Sequence, residues 1–393
     1  MSWEKVKVED ICIKITSGGT PKTTNEVFYN PKQVPWLKTA EVNYCRIYDT
    51  ETYISKEGLL RSSAKLIPEN SVIIAMYGQG DTAGRVAINK IPLCTNQACC
   101  NLIINHDVAD YEYVYYALST LYDKLVSLKN GGAQPNLNAG IIKNIEIPFP
   151  DLETQHKIAQ ILSKYDALIE NNQKQIKLLE EATQRLYKEW FVNLRFPGYE
   201  DVAIVDGVPE GWKKEKLIDI ANVQYGYAFD SSLFNSQGEG TPIIRIRNIP
   251  NGTTNDYTTQ EADEQYIVTN GDIVVGMDGE FHINSWSGKT AYLVQRTCKI
   301  DPKNECMRGW LLQALYEPIK FFEKTVVGAT VAHLGKKHID TIELLTGSDD
   351  LYVPFKELFD KRQLLLNQNI LLTEARDCLL SKLMNGEILD YRN

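Results

Sequence analysis

The sequence predicts a mixed α/β chain of two related globular halves, each followed by one long helix. Three observations carry this. The chain matches itself in order: SWEKVKVEDI (2–11) with GWKKEKLIDI (211–220), VPWLKTAEV (34–42) with TPIIRIRNI (241–249), SVIIAMYG (71–78) with DIVVGMDG (272–279), AGRVAI (83–88) with SGKTAY (287–292), and GGAQPNLNAGIIKNIEIPFP (131–150) with VGATVAHLGKKHIDTIELLT (327–346). In each half, short apolar runs bounded by Gly and Asn read as strands, beside segments of helical spacing. After each half comes a long segment whose apolar residues recur at alternating steps of three and four.

Length and composition agree. A chain of 393 residues exceeds one ordinary core, and 24% charged with 43% hydrophobic residues is globular composition. The repeats place Trp3 on Trp212, Asp10 on Asp219, Arg85 on Lys289, Gly131 on Gly328, Leu137 on Leu334 and Ile145 on Ile342. They imply a first domain over 1–150, a helix over 151–196, a connector and second domain over 197–350, and a second helix over 351–393.

Residues 109–128 and 306–326 are expected to be helical, with Pro318 bending or breaking the second. On the first, Tyr111, Tyr115, Leu118, Tyr122 and Leu125 share a face, which reads as core packing.

From Thr154 to Val192 there is no Gly or Pro, and Ile158, Leu162, Tyr165, Ile169, Asn172, Ile176, Leu179, Thr183, Leu186 and Trp190 form a heptad seam. Such a helix would run about 60 Å. The second helix (356–388) shows a broad apolar face with Leu358, Leu365, Leu372, Leu379 and Leu383, and Asn369 falls on it. A seam needs a partner, and each helix is the other's nearest candidate. An antiparallel pairing would hold the globular halves at opposite ends of a rod. Asn172 needs a hydrogen-bonding partner there, which would set the register.

The chemistry-bearing signals are sparse. Eight cysteines show no CxxC pair, and His333 and His338 lack the Glu of a zincin helix, so neither a disulfide framework nor a metal site is expected. The start MSWEKVKVED lacks a signal-peptide core, and no run is apolar enough to span a bilayer, so the expectation is a cytoplasmic protein. SWSGKT (285–290) ends like a P-loop, but the position of its first glycine is Ile283; GQGDTAG (78–84) has no following helical pattern. Asp278 with Asp301 and Lys303 could serve a metal-dependent nuclease, though nothing equivalent occurs in the first half. A net charge of -9 argues against a nonspecific polycation and leaves room for local basic loops.

Residues 131–196, including IPFPDLETQHKIAQIL and EWFVNLRFPG, together with the duplicated halves and their following helices, resemble the specificity subunit of type I restriction-modification systems. The resemblance spans essentially the whole chain. The C-terminal copy departs from it, with Thr330-Val-Ala-His-Leu where the first has Gln134-Pro-Asn-Leu. It implies a noncatalytic subunit in which each half reads one part of a split, asymmetric double-stranded DNA target. The helices would act as spacer and as docking surface for two methyltransferase subunits. Translocating restriction subunits would join outside, where such partners exist. S-adenosylmethionine, ATP and Mg would then belong to the partners, with no cofactor in this chain and no membrane. A coiled-coil adaptor for proteins alone is the alternative reading.

Base readout needs Arg or Lys for guanine and Asn or Gln for adenine, displayed from loops on a rigid scaffold. Candidates are Gln79 and Arg85 in the Gly-rich loop 76–85, and His282, Asn284 and Lys289 in the segment 276–289. If TPIIRIRNI is a strand, Arg245 and Arg247 share a face, and with Lys38, the counterpart of Arg245, they are candidates for phosphate contact.

Overall fold

A computed structural model describes residues 3–129, 136–325 and 332–387. The chain forms two compact units, residues 1–167 with 374–393, and residues 168–373. Their boundaries fall inside the two long helices, Leu152–Tyr187 and Val353–Met384, so each helix contributes to both units.

In the first unit, five strands order as Cys12–Ser17, Cys99–Ile104, Val72–Ala75, Val86–Asn89 and Cys45–Ile47, all antiparallel except the last pair. Val72–Ala75 and Val86–Asn89 are buried throughout, which accounts for runs of β-branched and small apolar residues without alternation. A second sheet pairs Val34–Leu37 in parallel with Leu93–Thr95, and Lys5–Lys7 lies antiparallel to Glu146–Pro148.

The second unit repeats the plan. Ala221–Tyr225, Thr297–Pro302, Ile273–Gly276 and Ile283–Ser285 form an antiparallel sheet. Thr241–Ile244 pairs in parallel with Ala291–Leu293, and Lys213–Lys216 lies antiparallel to Glu343–Thr346. Single hydrogen bonds repeat as well. The Val8 amide donates to the Ile145 carbonyl at 2.9 Å, as Leu217 does to Ile342 at 2.9 Å. Leu137 donates to Met76 at 3.0 Å, as Leu334 does to Met277 at 2.7 Å. Gly18 and Gly226 occupy matching positions after the first sheet strand, where a Cβ would lie 2.2 Å from the Asn96 carbonyl oxygen and 2.1 Å from that of Val294. Only glycine permits that approach. The match of Gly131 with Gly328 lies outside the described residues.

The ladders correct one sequence alignment. Ala75 donates to Arg85 and Gly276 donates to His282, at equivalent rungs. His282, not Lys289, is therefore the counterpart of Arg85. The hairpin loop spans 76–85 in the first unit and 277–282 in the second, so its shortening shifts the pairing without altering the ladder.

Both predicted helices after the sheets are interrupted. The first divides into Tyr111–Ser119 and Tyr122–Ser127, and the second into Arg308–Ala314 and Tyr316–Thr325. Pro318 does not make the break; it sits in the first turn after it, where its missing N–H has no helical acceptor to satisfy. Tyr115, Leu118 and Leu125 are buried in the core, with Tyr111 and Leu121 packed against it.

The first long helix ends in a π-helical turn, Lys188–Val192, which sends Phe191 into the second unit's aromatic core beside Trp212, Trp310, Tyr352 and Phe355. Along the seam, Ile158, Leu162, Ile169, Asn172, Ile176 and Thr183 are buried, and Tyr165, Leu179, Leu186 and Trp190 are half-buried. From the other helix, Leu365 is buried while Asn369, Leu372 and Leu379 are half-buried.

Within the second unit the helices run antiparallel: Glu180 accepts from Arg362 at 2.7 Å and Asn172 donates to Asn369 at 2.9 Å. Asn369 in turn donates to the Ile169 carbonyl at 3.4 Å. Within the first unit, Asp166 accepts from Arg376 at 2.8 Å and from Arg46 at 2.9 Å. Tyr116 also donates to Asp166, and Glu112 pairs with Arg46 and, at 2.9 Å, with Lys90. The Arg46 and Asp166 side chains are both 7% exposed. Burial opposes the Arg46 charge, but Glu112 and its neighbours outweigh it and push its pKa up.

Removing one partner from such a network leaves buried charge uncompensated, at a cost of about 3–5 kcal/mol. Asp166→Ala is expected to lose about that much, with hydrogen-exchange protection falling at 45–47 and 112–118. Protection unchanged at those segments would show that the network does not hold this unit.

Candidate nucleic-acid interface

The sheet pairing gathers particular loops at one end of each unit. In the first, Ser17, Cys100, Ile74 and Val86 are successive cross-strand partners. They are the last, near-first, near-last and first residues of their strands, so the segments after Ser17, before Cys99 and across 76–85 emerge together. In the second unit, Tyr225, Cys298, Val275 and Ile283 do the same for the segments after Tyr225, before Thr297 and across 277–282. Loops held this way by a rigid sheet suit recognition.

In the first unit, Gln79 is exposed within its loop and its carbonyl accepts from the Thr82 hydroxyl at 2.7 Å. Arg85 is half-buried and donates to Asp81 at 2.6 Å and to Asn43 at 2.9 Å. The hydrogen bond from Arg85 holds the exposed Asp81 carboxyl below the usual range. Tyr122 braces the loop by donating to the Asp81 carbonyl at 2.8 Å. Lys38 is exposed just after strand Val34–Leu37, beside the same loop end, since Asn96 donates to Leu37 at 2.9 Å.

In the second unit the candidates separate. The segment 276–289 is not one loop, because strand Ile283–Ser285 passes through it. His282 lies at the loop end, half-buried and 3.6 Å from Glu280. Asn284 is in the strand, and its amide is committed: it donates to the Pro250 carbonyl at 2.9 Å and Ile249 at 3.2 Å, and accepts from Arg362 at 3.1 Å. Both ends of the amide are thus engaged within the chain. Lys289 follows the far end of the strand, where its carbonyl accepts from Trp286 Nε1 at 2.8 Å.

The expected long strand around Arg245 also stops early. Thr241–Ile244 ends before it, and Arg245 caps a 3₁₀ turn over Ile246–Asn248, its amide donating to Asn248 at 2.8 Å. Arg245 and Arg247 therefore do not alternate with isoleucines on one strand face. Arg245 lies 5.8 Å over the Phe234 ring, and Arg247 pairs with Asp256.

Asp278, expected from the sequence only as a nuclease carboxylate, stands at this end. Asp278 accepts from Arg296 and meets His333 Nδ1 at 2.5 Å. Asp301 lies at the other end of its strand, four residues and roughly 13 Å along the sheet, where it pairs with Arg308 at 2.7 Å. The two carboxylates do not share a metal site. Among the described residues, no His, Cys, Asp and Glu group of three or more could hold a metal ion, and no helix is long and apolar enough to cross a membrane.

The family model for the type I restriction modification DNA specificity domain matches residues 1–181 and 209–345. The chain belongs to that family, as a specificity subunit. Among its relatives is the type I restriction enzyme MjaIX specificity subunit of Methanocaldococcus jannaschii, 26% identical over 98% of this chain and 93% of the relative. The EcoBI specificity subunit of Escherichia coli is 33% identical over 34% of this chain and 29% of its own length. In fold, the S subunit of a type I restriction-modification system from M. genitalium superposes with a TM-score of 0.62 at 18% identity, covering 98% of this chain and 96% of that one. Family membership accounts for the duplicated platform, a feature the sequence repeats show without any structure.

Because the Asn284 amide holds the strand to its neighbours, Asn284→Ala is expected to cost about 1–3 kcal/mol of stability and to leave base preference intact. Denaturant unfolding and selection of bound duplexes check this; altered preference with unchanged unfolding would move the amide onto DNA.

Proposed function

We propose that the loop end of each unit reads one part of a split, asymmetric duplex target, and that the helices set the gap between the parts. The observation that carries this is the repeated platform. The same backbone hydrogen bonds recur at Met76 and Met277 and at Gly18 and Gly226, while the loops they hold differ in length and side chains. A conserved scaffold with diverged polar loops suits two readers of different bases.

Each unit also holds a helix pair bridged by polar groups, the buried Asn172 with the half-buried Asn369 in one and the buried Asp166 with the half-buried Arg376 in the other, which supports a fixed register. A stiff spacer of this kind defines a half-site distance, as dimer geometry does in other DNA-binding proteins. Two methyltransferase subunits would dock on the helices, with restriction subunits outside them. The chain carries no Asn/Asp-Pro-Pro-aromatic motif for work on a flipped base. Methyl transfer with S-adenosylmethionine, and ATP- and Mg-dependent translocation, would thus be the partners' chemistry.

The net charge of -9 makes local cations decisive, so binding should weaken steeply with salt. Random duplexes mixed with this chain and its methyltransferase subunit, then recovered and sequenced, should show a split motif with one fixed gap. No enrichment even at low salt would leave a protein-only adaptor as the better reading. Inserting one heptad into the first long helix should lengthen the gap or abolish assembly, with the bases at each part unchanged. New base preferences at an unchanged gap would remove the spacer role from the helices.

A further inference from the structure

The backbone rungs next to the loops match in the two platforms, so the residues beside those rungs have defined counterparts. Met76 donates to the Ala98 carbonyl at 2.7 Å, and Met277 donates to that of Arg296 at 2.9 Å. Together with the bonds from Leu137 and Leu334, this places Tyr77, Ala98 and Asn136 of the first unit opposite Asp278, Arg296 and His333 of the second. The hydrogen bonds flanking these places recur in both units. The chemistry has changed from an aromatic, a methyl and an amide to a carboxylate flanked by two donors.

The second-unit group is arranged for display. Asp278 is 11% exposed, while Arg296 is 65% and His333 59% exposed. The carboxylate takes one guanidinium nitrogen, NH1, and the Nδ1 side of the imidazole, leaving the rest of the guanidinium fork and Nε2 to project outward. The segment carrying His333 is pinned by a bridge to Asp278 and by the Gly279 amide donating to Ala332 at 3.0 Å. Arg296 itself has a left-handed backbone, φ 66°. A glycine would sit there without cost, so an arginine at the tip of a three-residue turn (294–296) points to a use for its side chain. Burial works against the Asp278 charge, but hydrogen bonds from His333 and Arg296 outweigh it and hold the carboxyl below its usual range.

We propose that Arg296, held beside His333 by Asp278, is the base-reading element of the second unit and that it recognises guanine. The reasoning rests on the DNA-reading role given above for this loop end. The guanidinium N–H groups of Arg296 not taken by Asp278 offer donors side by side in one plane, and the guanine edge with O6 and N7 presents two acceptors in the major groove. Adenine offers one acceptor beside a donor there. The first unit, with Tyr77, Ala98 and Asn136 in these places, lacks the fork and must read a different pattern.

The test uses the full chain with its methyltransferase subunit, and sequences the random duplexes it retains. Wild type should enrich a split motif with guanine at one or two positions of one part. Arg296→Ala should lower that guanine preference roughly 10- to 100-fold, while the other part of the motif and the gap stay the same. The retained other part also shows that the variant is folded. Arg296→Lys, a point charge without the fork, should keep affinity and lower the preference by less than Arg296→Ala does. Asp278→Asn should weaken it with both donors in place.

An unaltered motif in Arg296→Ala overturns the proposal. So does a uniform loss of affinity for all sequences with a shallower salt dependence, which marks a phosphate contact. If wild type itself enriches no split motif, the DNA-reading function of the loop ends fails first, and this assignment goes with it.

Discussion

Buried polar groups between the two long helices are the constraint on which the arrangement depends. An all-leucine seam tolerates sliding by a heptad, because one apolar knob fills another's hole with little change in energy. The amides of Asn172 and Asn369 do not tolerate it. Displaced, Asn172 would be left without a partner in a buried site, at about 1–3 kcal/mol, and the half-buried Asn369 would lose its bonds to Asn172 and Ile169. In the first unit the same task falls to charge: Asp166 is buried between Arg46 of the sheet and Arg376 of the second helix. In the second unit Arg362 joins the helices to the sheet, reaching Glu180 on one side and Ser285 on the other.

Above the helices, duplication has been preserved in the main chain and relaxed in the side chains. The hydrogen bonds at Met76 and Met277, and the close approaches at Gly18 and Gly226, are made by backbone atoms. A loop can thus shorten from 76–85 to 277–282 while the strands on either side remain paired. This separation of scaffold from display explains how one architecture supports two different readers.

The acidic balance of the chain fits this use of charge. Several displayed cations stand against a carboxylate: Arg85 against Asp81, Arg247 against Asp256, Arg296 against Asp278. Such pairing spends electrostatic attraction to gain orientation. A guanidinium fixed at one nitrogen loses less conformational entropy when its fork meets a base, which favours selectivity over indiscriminate affinity.

The repeats and the long helices were legible in the sequence because each is a short-range pattern. Helical periodicity follows from 3.6 residues per turn, and a duplicated strand retains its apolar run. Thr241–Ile244 and Ile273–Gly276 emerged at the positions their first-half counterparts indicated. The strand through 283–285, the internal commitment of Asn284 and the alignment of Arg85 with His282 were not legible. Each is set by pairing with residues distant in the chain, and a change in loop length moves that pairing out of step with sequence similarity. The cluster of Asp278, Arg296 and His333 shows the same limit: its members are separated by stretches of 18 and 37 positions in sequence. The sequence by itself determined that there are two related halves and two seam-bearing helices, since those rest on local geometry. Which polar side chains stand together at each loop end was decided only by the tertiary structure, because hydrogen-bonded ladders, not proximity along the chain, bring them there.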